Sequence, residues 1–306
     1  MKITYNKCPV CNSNSIGPYI ECKDYLVSGE LFPIYRCPEC QLEFTQYHPG
    51  EQESGKYYES VDYIPHSDAI KSFTGKIYYT VRKFMLLKKK NLVIKYTGKR
   101  TGTILDFGSG TGHFAITMKK AGWDATGIEP DNDAREYSVK NFGIKAMRPE
   151  EMKILPSFSF DCITLWHVLE HLHNPFQSLS EIKRLLRPNG ILIIATPNNM
   201  SFDSIHYRHL WAAYDAPRHL WHFNPVSFSY LAGKAGFEII SMKKLPFDVF
   251  YISILSEKNR GSRIPLFNGL LKGSIFFLLS LFDVTRSSSI VYLLKHSESG
   301  KGNADY

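Results

Sequence analysis

The 306-residue sequence predicts an α/β protein built on a doubly wound, mainly parallel seven-stranded sheet, with a small cysteine-rich module ahead of it. Three observations predict this. Short apolar runs alternate with helical patterns from residue 103 to 195, and such alternation lays successive strands parallel with helices on both faces. The first run ends in Gly108-Ser109-Gly110-Thr111-Gly112, a strand-to-helix turn where glycine at every second position lets the backbone bend sharply and approach a ligand. Four of the six cysteines form two C-x-x-C pairs. A hydrophobic fraction of 43% is enough for a substantial core, and the length exceeds one average domain.

Residues 1–50 are the cysteine module. Cys8-Pro9-Val10-Cys11 and Cys37-Pro38-Glu39-Cys40 set four thiolates on two tight turns, 25 residues apart, which is the donor set of a tetrahedral zinc ion. The arrangement resembles a zinc ribbon. Four cysteine ligands leave no open position for water, so Zn2+ is expected to be structural, not catalytic. A redox role requires only one such pair beside a βα unit, and disulfides require an oxidising compartment. Residues 1–7 lead to Cys8 without an apolar run, so no secretory signal is read and the expected location is cytoplasmic. Cys162 lies in an apolar run and reads as a small core residue.

Residues 51–100 are a connecting region. Its first part, toward His66, is aromatic and turn-rich. Apolar residues then recur at Ile70, Phe73, Ile77, Val81 and Phe84, a spacing that predicts an amphipathic helix reaching Tyr96. From 69 to 100 there are ten Lys or Arg residues and no acid, and the whole chain carries a formal charge of +8. Such a face is either solvated or attracts an anionic substrate, a membrane surface or nucleic acid.

Residues 101–296 hold the sheet. The first strand is predicted at 103–107, followed by a helix over 113–122 and a second strand at 125–128. That strand ends in Glu129, 17 residues after Gly112, where a parallel sheet presents a carboxylate to the two hydroxyls of a ribose. A helix at 132–142, strands at 144–147 and 160–165, a helix at 176–186 closed by Arg187-Pro188-Asn189-Gly190, and a strand at 191–195 complete the alternation. Ligands are expected at the C-terminal strand ends.

Asp106-Phe107-Gly108-Ser109-Gly110-Thr111-Gly112 reads D-x-G-x-G-x-G, unlike the G-x-G-x-x-G of dinucleotide enzymes. It resembles motif I of the class I S-adenosylmethionine-dependent methyltransferases. The resemblance implies a Rossmann-like methyltransferase fold and S-adenosyl-L-methionine as cofactor. It places Asp106, Gly108, Gly110 and Gly112 around the amino-acid end of the cofactor, with Glu129 and Pro130 at the ribose. The stretch from Phe160-Asp161-Cys162-Ile163 to His167-Val168-Leu169-Glu170-His171-Leu172 resembles the family's segment after strand four. Leu185-Leu186-Arg187-Pro188-Asn189-Gly190 resembles its turn before strand five, and Pro149-Glu150-Glu151-Met152 stands where the family contacts adenine. Glu150, Glu151, His167 and Val168 are thus implied cofactor contacts, with Glu170 and His171 fixing the following turn. The resemblance covers roughly residues 100–245. His167 and His171 do not form a zincin pair, because Glu does not directly follow the first histidine.

After strand five the sequence enters an insertion read as a lid loop over 198–224. Within it, residues 214–225 concentrate Tyr214, Asp215, Arg218, His219, Trp221, His222 and Phe223. Such a loop can supply a base, an anion clamp and an apolar cover. Its Pro217-Arg218-His219-Leu220 followed by His222-Phe223 resembles a segment of methyltransferases of the methyltransferase-23 type, many tied to surface-polysaccharide or secondary-metabolite pathways. His219 is the expected catalytic base and His222 the second choice, with Tyr214, Arg218 and Trp221 as substrate-binding residues. A histidine near its ordinary pKa can accept a hydroxyl proton at neutral pH. No acidic metal cluster of the catechol-methylating kind is read.

A sixth strand is expected at 237–245 and a last one at 289–295, separated by a helical insertion over 247–285. The apolar stretch 266–282 is interrupted by Asn268, Gly269, Lys272 and Gly273, so it reads as half of a helix pair and not as a membrane span. That pair would form a lipid-facing or dimer surface, or cover the site. Residues 297–306 read as a polar, disordered tail.

The expected function is therefore S-adenosylmethionine-dependent methylation, on a hydroxyl of a glycan, nucleotide-sugar or lipid-linked intermediate. The expected partner is a small-molecule or glycan acceptor, anionic or lipid-linked, with peripheral membrane contact as an alternative to a purely cytoplasmic setting. Methylation of a quinone or other small molecule is a second reading. An RNA-binding modification protein and a non-catalytic cofactor-binding scaffold are readings of another class. Nucleic acid is disfavoured because the cysteine module lacks a dense Lys/Arg surface and strand four is not followed by an N-P-P-Y-type motif.

Overall fold

The computed structural model describes residues 2–58 and 73–297, with backbone alone for 73–78. The aromatic stretch from 59, the predicted start of the basic helix at Ile70, and the tail from 298 lie outside the described residues.

In the N-terminal module β1 (Lys2–Ile3) pairs with β5 (His48–Pro49), while β2 (Gly17–Lys23), β3 (Leu31–Arg36) and β4 (Glu43–Thr45) form an antiparallel sheet. A short α1 (Glu51–Ser54) precedes the undescribed segment, and α2 (Phe73–Thr97) follows it. The packed face of α2 is not the one its apolar spacing predicts at Phe84. From there on, Met85, Leu86, Leu92, Val93 and Tyr96 turn to the core, while Phe84 and Leu87 are exposed. The three-and-four spacing that meets the sheet runs through Met85, and Phe84 rests on Phe247 with ring centroids 5.8 Å apart.

The large sheet is assembled from β6 (Thr103–Phe107), α3 (His113–Lys120), β7 (Asp124–Ile128), α4 (Asn132–Phe142), β8 (Lys145–Met147), β9 (Phe160–Trp166), α5 (Pro175–Leu185) and β10 (Leu186–Pro197). Then come α6 (Phe202–Tyr207), β11 (Trp221–His222), α7 (Pro225–Lys234), β12 (Phe237–Lys244), α8 (Asp248–Asn259), α9 (Pro265–Leu279) and β13 (Ser289–His296). Strand order is β12-β13-β10-β9-β6-β7-β8, parallel from β8 to β10, with β13 antiparallel to both neighbours.

Local chemistry sets these boundaries. Asp131 caps α4 by accepting from the Ala134 N–H, and Gly143 in the left-handed region ends it. Asn174 caps α5 ahead of Pro175, whose missing N–H costs nothing in a first turn. β9 is an apolar run buried on both faces, as a central parallel strand must be. One boundary differs from expectation. Arg187-Pro188-Asn189-Gly190 is a bulge inside β10 and not a turn before it, because Leu186 already pairs with Phe160 while Ile191 pairs with Cys162. Arg187 in the bulge reaches back to Asp161 at 2.7 Å.

β11 does not belong to the large sheet. Trp221 pairs with Phe44 and His222 with Glu43, so the insertion after strand five adds an edge strand to the N-terminal module.

Candidate active site

The three glycines after β6 all have positive φ, 76° at Gly108, 51° at Gly110 and 79° at Gly112, a region that favours glycine. They differ in what a side chain would meet. A Cβ at Gly108 would collide with Val168 and one at Gly112 with Ser138, whereas one at Gly110 would meet nothing within 4 Å among the described residues. Glu129 borders that open space. Its Oε2 accepts from the Gly110 N–H at 2.7 Å and its Oε1 from the Asp131 N–H at 3.0 Å, and burial raises its pKa. Asp106 is buried inside the sheet, where Oδ1 accepts from the Thr164 hydroxyl at 2.7 Å and burial pushes its pKa up to about 7. Pro130 and Glu150 are exposed at the neighbouring strand ends. Glu151 accepts from the Arg148 N–H at 2.6 Å and so caps its own helical turn.

After β9, His167 adopts φ 58° between two carboxylates, its Nε2 2.9 Å from Asp248 and its Nδ1 3.3 Å from Glu170. Burial works against its charge, but Asp248 and Glu170 prevail and push its pKa up to about 10, so it is an imidazolium at neutral pH. The next residue, Val168, packs over Gly108, and the 3-10 turn Leu169–His171 then carries Glu170 and His171 toward His219. One potential ligating atom from each of these three lies within 4.8 Å of the others. The Ala213 carbonyl, 2.8 Å from His219 Nδ1, can only accept, so Nδ1 donates to it, while Nε2 lies 3.9 Å from Asp215. Glu170 is fully buried, with Oε1 on His167 and Oε2 without a hydrogen-bond partner among the described residues. His171 Nδ1 lies 3.1 Å from both the Arg218 carbonyl and the Tyr58 hydroxyl, and burial together with His219 lowers its pKa to about 4.

The loop's other candidates are buried and bonded to neighbouring residues. The Arg218 side chain is 1% exposed, and it donates to Asp24 at 3.0 Å, to Asp215 and to the Tyr57 carbonyl at 2.9 Å. Tyr214 is buried with its hydroxyl on Glu43 at 3.0 Å, and Trp221 with its indole N–H on the Leu172 carbonyl at 2.7 Å. His222 sits in β11 with Nε2 3.1 Å from the Thr45 hydroxyl, and burial holds its pKa well below the ordinary value. The expectation of a lid carrying an anion clamp is corrected accordingly. Tyr214, Arg218, Trp221 and His222 bond the insertion to the N-terminal module, and of the loop's candidates His219 alone stands beside Glu170.

The methyltransferase-23 family model, a methyltransferase domain, matches residues 81–242, just over half of the chain. The chain belongs to this methyltransferase family. Among curated proteins, the methyltransferase is 34% identical over 88 residues to a probable S-adenosylmethionine-dependent methyltransferase of Mycolicibacterium smegmatis, covering 28% of this chain and 31% of that protein. It is 29% identical over 106 residues to a ubiquinone biosynthesis O-methyltransferase of Haemophilus ducreyi, covering 31% of this chain and 45% of that protein. The methyltransferase thus spans less than half the length of these relatives. Among solved structures, a putative sarcosine dimethylglycine methyltransferase from Galdieria sulphuraria aligns with 16% identity and a TM-score of 0.49, over 69% of this chain and 86% of that one.

Three site features of the methyltransferase were not read from its sequence. Asp248, the first residue of α8, holds His167, although its only signal was a lone acid in an aromatic stretch. Lys89 points its ammonium at the Trp166 ring, 4.4 Å from the centroid, where burial lowers its pKa against the pull of Asp106 and Asp248. The unpartnered oxygen of Glu170 is the third.

The four cysteines of the methyltransferase's N-terminal module converge as their spacing predicts. Cys8 and Cys40 sulfurs are 3.5 Å apart, as are those of Cys11 and Cys37, and one sulfur from each lies within 4.8 Å of the rest. Each C-x-x-C is followed by a left-handed residue, Asn12 at φ 63° and Gln41 at φ 59°, and the Cys11 N–H points at the Cys8 sulfur at 3.5 Å. Two such knuckles with sulfurs at tetrahedral-edge separation fit zinc at its usual Zn–S distance of about 2.3 Å.

Proposed function

We propose that this methyltransferase moves the methyl group of S-adenosylmethionine to a hydroxyl of a small-molecule acceptor of the glycan, nucleotide-sugar or lipid-linked kind. One observation carries the reading: the open side of Gly110 beside Glu129 adjoins, through the Val168 contact with Gly108, the turn that sets Glu170 against His219. When bound, the cofactor supplies an electrophilic methyl on a sulfonium. The chain's own part is to align the reactants, exclude water and take up a proton. Gly110 leaves room for the amino-acid end, Glu129 accepts from the ribose hydroxyls, and Val168 walls the cleft. His219 Nε2 accepts the acceptor's proton, Ala213 holds the tautomer, and Glu170 stabilises the imidazolium that forms.

A lipid-linked acceptor, or a quinone, is favoured by Asp248. The residue that clamps His167 also begins α8, the helix on which the apolar α9 packs. Peripheral membrane contact belongs to the same reading. Residues 101–296 are the catalytic domain in this account, and residues 1–50 are a structural module whose Zn2+ would be held by Cys8, Cys11, Cys37 and Cys40.

Two measurements bear on these assignments. Glu129→Ala is expected to weaken S-adenosylmethionine binding about a hundredfold by calorimetry, since it removes a charged acceptor for two hydroxyls; unchanged affinity would remove Glu129 from the cofactor site. Elemental analysis should find about one zinc per chain, and Cys37→Ser should release it and render the N-terminal module sensitive to proteolysis. A metal-free chain with an equally resistant module would contradict the zinc assignment.

A further inference from the structure

In the helix pair α8–α9 two glycines of α9 meet α8, Phe276 and Phe277 pack inward, and the other large apolar residues of α9 are exposed. A Cβ on Gly269 would come within 2.6 Å of the Ile254 backbone nitrogen, and one on Gly273 within 3.0 Å of the Phe250 ring, so these glycines face α8. Phe267, Leu271, Ile275 and Leu278 recur three or four residues apart on the other side and are all exposed, and Phe282 just beyond is 92% exposed. A helix packed in water buries its large apolar residues, whereas helices packed in lipid meet through Gly-x-x-x-Gly surfaces and give their large residues to the acyl chains. No helix among the described residues is long and apolar enough to cross a membrane. At 15 residues α9 can lie along a bilayer surface but not span it.

The charge around this face is mostly positive. Lys258, Arg260, Arg263 and Lys272 lie between residues 258 and 282, with Arg260 and Lys272 reaching Glu257 at 3.4 and 2.8 Å and Asp283 following Phe282. The Lys244 ammonium sits 5.0 Å from the ring centroid of Phe277 in α9, and Lys244 with Lys88, Lys95 and Lys243 lines an adjoining cavity of about 300 Å³. None of those four takes part in an ion pair among the described residues.

We propose that the outer face of α9, rimmed by this lysine cluster, docks the methyltransferase on a bilayer containing anionic lipid. Apolar side chains enter the acyl boundary while the lysines meet the headgroups. A second copy of the chain suits the face less well, because symmetric pairing would bring two rims of like charge together. The assignment does not depend on which hydroxyl is methylated.

Sedimentation of the full chain with vesicles tests it. Partitioning onto phosphatidylcholine vesicles containing phosphatidylglycerol should exceed that onto phosphatidylcholine alone by about tenfold and shrink at high salt. The double variant Leu271→Glu/Leu278→Glu should lower partitioning by about tenfold or more, with S-adenosylmethionine affinity unchanged as evidence of an intact fold. Should that variant fail to fold, Phe282→Ser alone carries the same comparison. Equal partitioning of variant and wild type, or no wild-type partitioning onto either vesicle, would overturn the proposal. So would a solution dimer that the double variant converts to monomer, which would assign the face to a second copy.

Discussion

Arg218→Ala is expected to destabilise the protein by about 3–5 kcal/mol, lowering the melting temperature by on the order of 10 °C, with the methyl-transfer defect following from lost structure. The side chains of Arg218 and Asp24 are 1% and 0% exposed. Asp24 also accepts from the Leu26 and Ser28 amides, so it cannot turn to water when its partner is removed. An unpaired buried carboxylate remains, and the bonds from Arg218 to the Tyr57 carbonyl and to Asp215 are lost as well. The pH dependence has a defined sign. Burial opposes ionisation of Asp24, but the Ser28 amide and Arg218 overcome it and hold its pKa below the ordinary value. A depressed carboxylate contributes stability that is fully present above its unfolded pKa, about 3.9, and is lost as pH falls through the folded value. The gap between the melts of wild type and variant should therefore narrow as pH falls below about 4 and through the folded pKa of Asp24. A variant that melts like wild type and shows only a raised acceptor KM would restore Arg218 as a substrate clamp.

His219→Ala is expected to lower the methyl-transfer rate by about a hundredfold or more while leaving cofactor affinity and melting temperature near wild type. The imidazole is held by a bond to the Ala213 carbonyl and its side chain is 12% exposed, and the buried Glu170 keeps His167 as a partner when it is removed. His222→Ala provides the contrast. That ring is buried against Thr45 within β11, so its loss should register in stability before it registers in rate. A wild-type rate in the His219 variant, or loss of cofactor binding, would return this histidine to a structural role.

What could be read from the sequence was what depends on near neighbours. The cofactor loop, the position of Glu129 and the buried run of β9 follow from glycine spacing and strand patterning within a few turns of chain. The cysteine knuckles were equally legible, because metal-ligand spacing is written locally. The role of the insertion was not, since Arg218 meets its partner Asp24 across 194 positions and Trp221 pairs with Phe44. Residue types that suit an anion clamp also suit a buried ion pair, and chain patterning does not separate the two. For the helix pair the sequence left a lipid-facing surface, a dimer surface and a cover for the site open, and the two glycines that meet α8 place most large residues of α9 on its outer side. In α2 the packed face runs through Met85 and not Phe84.

The Gly110 and Glu129 cleft is expected to bind S-adenosylmethionine and deliver its methyl to an acceptor beside His219. Calorimetric titration of the purified protein with S-adenosylmethionine checks this, with Glu129→Ala and His219→Ala titrated alongside. Saturable binding is expected at one site per chain, weakened about a hundredfold in the first variant and unchanged in the second. Absence of saturable binding to the folded wild-type protein, or equal weakening in both variants, would contradict it.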